Sequence, residues 1–158
     1  MDEKKINISL ESLSKKDFDN ALKLDNQICF PLYAASRKII SQYTPLLKEL
    51  GLTYTQYITF MVLWEKPVIS VGELSDKLFL DSGTLTPLLK KLEGEKYIKR
   101  YRNKDDERIT MIKLLDKGCE LKEKVKHIPF EVASYSNISI EEGQELYRVL
   151  YKILGIEL

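Results

Sequence analysis

Gly83, Thr86, Pro87, Lys90 and Lys91 recur at the spacing of one helix face, with Ser82 at its start and Thr84 beside it. These side chains are small, hydroxylic or positive, and no carboxylate intervenes before Glu93. Such a surface can approach the major groove of a duplex closely, donate hydrogen bonds to base edges and phosphates, and meet no charge repulsion. Leu85, Leu88, Leu89 and Leu92 recur at i, i+3, i+4 and i+7 and form the stripe that buries the opposite face. Asp81 or Ser82 can cap the start by accepting the first backbone amides. An ordinary solvated helix carries much the same pattern, so the neighbouring segments decide what this one is for.

Residues 97–102 and 109–114 are rich in aromatic and β-branched side chains and are joined by a charged turn, which predicts a two-stranded ribbon. Arg108, supported by Asp106, sits at its tip, where narrow A·T-rich minor grooves attract arginine; Arg102 lies on the adjoining strand. Upstream, Ser70-Val71-Gly72-Glu73 is a capping box that opens a short helix through Leu78, and Phe79-Leu80-Asp81 turns into the Leu85 helix. Helix, tight turn, helix and ribbon make a winged helix-turn-helix. The fold class is therefore mainly α (α+β), a winged helix-turn-helix with flanking dimerisation helices.

The net charge of +1 says nothing about nucleic acid, but its distribution does. Between Ser82 and Arg108 eight basic residues face five acidic ones, so this window carries +3 and the remainder −2. Other chemistry is sparse. His127 has no companions at metal-ligand spacing, no glycine-rich phosphate loop occurs, and no metal or cofactor is expected. A thiol peroxidase-like enzyme is set aside because Cys29 has no evident resolving partner. No apolar run reaches transmembrane length and the N-terminus lacks a secretory core. We therefore expect a cytoplasmic protein with no membrane partner, in which Cys29 and Cys119 are reduced thiols.

The elements that must position these residues follow in chain order. Residues 1–20 are expected to be a loosely ordered arm with at most a short helix. Residues 21–52 form a long dimerisation helix, in which Cys29, Leu32, Ser36, Ile39, Tyr43, Leu46 and Leu50 are spaced 3, 4, 3, 4, 3, 4. Pro31 and Pro45 should kink it or mark its ends, and Gly51 should stop it. The winged module spans residues 53–115, opening at the Thr53–Gln56 capping box, with Pro67 closing the first helix. Residues 116–158 supply C-terminal dimerisation helices: one over 116–128 interrupted by Pro129, and one opened by the Ser139–Glu142 box and stopped by Gly155. These flanking helices have more apolar surface than one winged domain can cover, which predicts a homodimer suited to palindromic double-stranded DNA.

Leu24-Asp25-Asn26-Gln27-Ile28-Cys29-Phe30 with Leu32-Tyr33, Leu52-Thr53-Tyr54-Thr55-Gln56-Tyr57, the run from Leu80 to Lys90, and Asp106-Glu107-Arg108 resemble the MarR family of dimeric bacterial repressors. Within it they resemble the organic-hydroperoxide repressors (OhrR), over nearly everything from Leu22 to Leu154. The resemblance implies that Cys29 is the peroxide sensor and that Tyr43 and Tyr54 of the partner subunit hydrogen-bond its sulfur. It also implies that Arg108 is the wing-tip arginine and that an organic hydroperoxide is the effector that releases the operator. By residue type alone Cys29 is an inert buried thiol and the tyrosines are core aromatics. Cys29 and Tyr43 lie about 21 Å apart along a continuous helix at about 1.5 Å per residue, which fits a contact made between subunits. Pro31 departs from the family's pattern, and Cys119 matches no resolving cysteine and is expected to be exposed and incidental. A MarR-type repressor gated by a small apolar or phenolic ligand is the alternative.

Overall fold

The computed structural model describes residues 12–135 and 137–157. The chain divides into two compact units, Met1–Gln42 and Tyr43–Leu158. Among the described residues no helix is long and apolar enough to cross a membrane.

In the first unit, Ser14 and Asp17 form a reciprocal capping box that starts α1 (Lys15–Ala21). A 3-10 turn at Leu24–Asn26 follows, and α2 (Cys29–Lys48) begins after it. The helix expected from residue 21 thus begins only at Cys29, and Ala21 is the last residue of α1. The amide side chains of Asn26 and Gln27 donate to the backbone carbonyls of Asn20 and Ala21, which takes up the last acceptors of α1 and ends it. The expected arm at residues 1–20 lies partly in α1, and residues 1–11 fall outside the described part. Pro31 does not kink α2, because it stands in the first turn, where the missing N–H costs no helical bond. Pro45 lies inside the helix and does not end it. No described residue of this unit is fully buried.

The second unit has a core of its own. Gly51, at φ 69°, reverses the chain after α2, and the Thr53–Gln56 box opens α3 (Tyr54–Glu65). Strand β1 (Val68–Ser70), too short to show a period in the sequence, leads directly into α4 (Val71–Leu78), which the Ser70–Glu73 box starts. Then come α5 (Ser82–Gly94), β2 (Ile98–Arg102), β3 (Thr110–Leu114), α6 (Asp116–Val125), α7 (Ile128–Ser134) and α8 (Ile140–Ile153). The three strands form an antiparallel sheet in the order β1-β3-β2, with Ile112 opposite both Ile69 and Arg100. Pro129 opens α7 rather than breaking α6: it occupies the first turn, where a fixed φ near −65° suits the helix.

Phe60 and Leu63 of α3, Leu74 of α4, Leu85, Leu89 and Leu92 of α5, and Ile69, Ile98 and Ile112 of the sheet are fully buried in one cluster. Each such side chain contributes about 1.5–3 kcal/mol by leaving water. Leu88, placed on the same stripe of α5, is only partly buried. Gly118 of α6 is a close-approach point: a Cβ there would lie 2.8 Å from the Tyr97 carbonyl oxygen and collide with Leu114 Cδ1. Its carbonyl accepts from Trp64 Nε1 at 2.9 Å, which fixes α6 to α3.

Candidate nucleic-acid interface and thiol site

The approach of α4 to α5 is set by two residues. Phe79 adopts the left-handed conformation (φ 52°) that ends α4, and Asp81 caps α5 by accepting from Thr84 N at 2.9 Å. Burial of Leu85, Leu89 and Leu92 against the core turns the other side of α5 outward. Ser82, Gly83, Thr84, Thr86, Pro87, Lys90 and Lys91 are all exposed there. Lys91 also lies 3.9 Å from Glu95, so part of its charge faces along the helix.

Strands β2 and β3 form the ribbon of the wing, paired from Ile98↔Leu114 to Arg102↔Thr110. Asn103 N–H donates to the Ile109 carbonyl at the start of the tip. Asp106 receives the Arg108 backbone N–H (3.0 Å), its Nε (3.0 Å) and its Nη2 (2.9 Å), so the guanidinium is oriented although its side chain is 91% exposed. The Arg108 side chain, with its backbone N–H, holds the Asp106 carboxyl below its ordinary range. Arg102 Nη1 donates to the Arg108 carbonyl and to Thr110 Oγ1, which stiffens the tip from the other side. All ten residues expected on this face are in the second unit, seven on α5 and three on the wing.

Cys29 is the first residue of α2, exposed, with Sγ 3.7 Å from Gln27 Oε1. Tyr43 and Tyr54 meet edge-to-face with ring centroids 5.1 Å apart. Sequence reasoning missed the third member of that cluster. Tyr57, one turn beyond Tyr54, packs on Tyr43 at 5.8 Å, and its hydroxyl is pushed up to about 12, chiefly by burial. The spacing Tyr54, Tyr57 on one face was the available signal. Burial likewise raises Tyr43 and Tyr54, so all three are neutral hydroxyls and hydrogen-bond donors at physiological pH. Cys119 is exposed on α6, as expected. An open cleft of about 270 Å³ between α3 and α6 is lined by Tyr57, Met61, Trp64, Lys122, Val125 and Pro129.

A helix-turn-helix backed by a three-stranded wing, with its exposed helix small and basic and an oriented arginine at the tip, defines the winged-helix class of transcriptional regulators. The family model for the transcriptional regulators SarA/Rot matches residues 41–125. The organic hydroperoxide resistance transcriptional regulator of Bacillus subtilis is 44% identical over 137 residues, covering 87% of this chain and 92% of that one. The chain therefore belongs to the MarR/SarA family of transcriptional regulators, on the branch of the organic-hydroperoxide regulators, and is not an enzyme. Among solved structures it is similar to reduced AbfR bound to DNA, at 32% identity and a TM-score of 0.73, covering 89% of this chain and 97% of that one. Disulfide-formed AbfR, at 33% identity over 89% and 99% of the two chains, gives 0.59. AbfR is a protein of Staphylococcus epidermidis.

Proposed function

We propose that the protein is a homodimeric repressor that binds a palindromic operator in the reduced state and releases it when an organic hydroperoxide oxidises Cys29. The observation that carries the reading is the exposed thiol of Cys29 at the start of α2, in a chain 44% identical to an organic hydroperoxide resistance regulator. Operator binding would use the exposed face of α5 in the major groove and Arg108 in the minor groove. The Asp106 contacts support this, because they hold the guanidinium in place before DNA arrives.

Two copies are needed because the chain leaves apolar side chains without cover. Phe30, Leu32, Tyr33 and Ile39 of α2 are exposed, as are Leu146, Tyr147 and Ile153 of α8 and Leu154 at its end. A second copy buries them most simply. In the dimer the sulfur of one chain would receive hydrogen bonds from Tyr43 and Tyr54 of the other. The meeting of these two rings supports that arrangement, since both hydroxyls can then serve one small group.

The chemistry is a two-electron transfer. The Cys29 thiolate attacks the outer oxygen of the hydroperoxide, the O–O bond breaks, and an alcohol leaves after taking a proton. The cysteine becomes a sulfenic acid, which can condense with a thiol and lose water. The larger polar group no longer fits between the tyrosines, and the two winged domains change spacing. The AbfR structures, described as reduced on DNA and as disulfide-formed, support a redox-gated mechanism over gating by a small ligand. The test is a DNA-shift assay with intact-mass readout. Cys29→Ser should bind the operator and stay bound after hydroperoxide, and Tyr43→Phe and Tyr54→Phe should release more slowly than wild type. Release by Cys29→Ser at the wild-type rate would exclude the sensor role.

A further inference from the structure

Of the three hydroxyl groups on the exposed face of α5, those of Thr84 and Thr86 have their protons already committed, which leaves the stretch after Ser82 short of hydrogen-bond donors. Thr84 Oγ1 lies 3.0 Å from Asp81 Oδ2, and a carboxylate can only accept, so the proton is on Thr84 and points at Asp81. Thr86 Oγ1 lies 2.7 Å from the Ser82 carbonyl oxygen, which also can only accept. Gly83 has no side chain, and a Cβ there would sit 2.9 Å from Asp81 Oδ1, so the capping carboxylate keeps this position bare. Pro87 has neither an N–H nor a polar side chain. From Gly83 to Leu89 the exposed face therefore presents no side-chain donor, and the next one along the helix is the Lys90 ammonium.

A surface of this kind discriminates among bases. Guanine presents two acceptors, N7 and O6, in the major groove, and burying them against a donorless face leaves both unpaired. Thymine presents a C5-methyl group, which an apolar surface can cover. With its oxygen turned back onto the helix, Thr86 has its methyl left for a partner, and the exposed Pro87 ring lies next to it. We propose that α5 reads thymine by its C5-methyl group, with the Thr86 methyl and the Pro87 ring as the contact surface, and disfavours guanine at the same place. This specificity rests on the reading of α5 as the helix that enters the major groove.

The experiment uses the full chain in its reduced form and a pool of random-sequence duplexes of about 30 base pairs. From the selected duplex, thymines are replaced one at a time by deoxyuracil, which lacks only the methyl group. At one or two thymines in each half-site the replacement should weaken binding about fourfold, the effect of one buried methyl-sized group. Thr86→Ser keeps the hydroxyl and its bond to Ser82, and should bind thymine and uracil alike at one of those positions. Thr86→Val keeps the methyl and loses the hydroxyl, and should keep the preference for thymine over uracil at that position. The proposal is overturned if no thymine methyl matters by more than experimental error, or if Thr86→Val loses the preference for thymine as Thr86→Ser does. If no sequence is enriched and no duplex is retained, the regulator reading itself falls, a result distinct from sequence-selective binding without methyl discrimination.

Discussion

Glu93, in the last turn of α5, holds Arg100 of β2 through both carboxylate oxygens. Oε1 receives the Arg100 backbone N–H at 2.9 Å, and Oε2 receives Nε at 2.9 Å and Nη2 at 2.6 Å. Helix α5 and the ribbon are thereby fixed to one another at the C-terminal end of α5. Glu93→Gln and Arg100→Lys should each lower stability by about 1 kcal/mol, since neither replacement can keep all three bonds and the pair is only partly shielded from water. Urea unfolding of each variant checks this.

Two carboxylates, Glu73 and Glu93, contribute to the acid limb of stability. Glu73 is held down at about 2, against an ordinary 4.5, first by Lys66 Nζ at 2.6 Å and then by Ser70. Glu93 is held below its ordinary value first by the Arg100 side chain. A carboxylate lowered in the folded state stabilises it fully above its unfolded value and loses that contribution as the pH falls through the folded one. The urea midpoint should therefore drop between pH 4.5 and about 2, and Glu73→Gln should flatten that drop. An unchanged slope in Glu73→Gln would remove this assignment.

Arg108→Ala should weaken operator binding by about 1–3 kcal/mol without loss of fold, because among the described residues the side chain bonds only to Asp106, at the exposed tip. Lys90→Ala should cost less and mainly shallow the dependence of affinity on salt, as expected for a phosphate contact. Titrations at three salt concentrations separate the two.

A charge on the apolar face of α2 should dissolve the proposed dimer. Ile39 is 47% exposed in the single chain, and Ile39→Glu would place a carboxylate at the seam. Sedimentation at micromolar concentration should show a dimer for wild type and a monomer or aggregate for the variant. A wild-type monomer would contradict the assembly.

Gly118→Ala should destabilise the protein by about 1–3 kcal/mol, the usual range for overpacking. The added methyl meets the Tyr97 carbonyl, which cannot move without disturbing the backbone bond from Leu115 N–H to that same oxygen. Thermal unfolding of the variant measures it directly.

The starts of α3, α4 and α8 were legible in the sequence because a capping box is made by residues three apart, and Thr53–Gln56, Ser70–Glu73 and Ser139–Glu142 all form as expected. The buried stripe of α5 and the ribbon were legible for the same reason: a period of 3.6 or 2 records which side of an element faces the core. The resemblance to hydroperoxide regulators drew on local runs such as Leu80–Lys90, and it named the family correctly. The breaks between α1 and α2 and between α6 and α7 were misread. The Asn26 and Gln27 amides and the placement of Pro129 act through the backbone, which apolar spacing does not record.

Other features required the chain to be folded first. The Tyr43, Tyr54 and Tyr57 rings come together because α2 and α3 pack after the Gly51 reversal. Trp64 finds the Gly118 carbonyl 54 residues away, and Arg100 finds Glu93 across the turn out of α5. The direction of the Thr86 proton is local by contrast: Ser82 lies four residues earlier on the same helix, and its carbonyl accepts at 2.7 Å. The amino-acid order by itself determined the element types, the caps and the outward chemistry of α5, all of which depend on neighbours within a few residues. Tertiary structure decided which polar groups are satisfied internally and which are left for a partner, because that depends on distances no local spacing encodes.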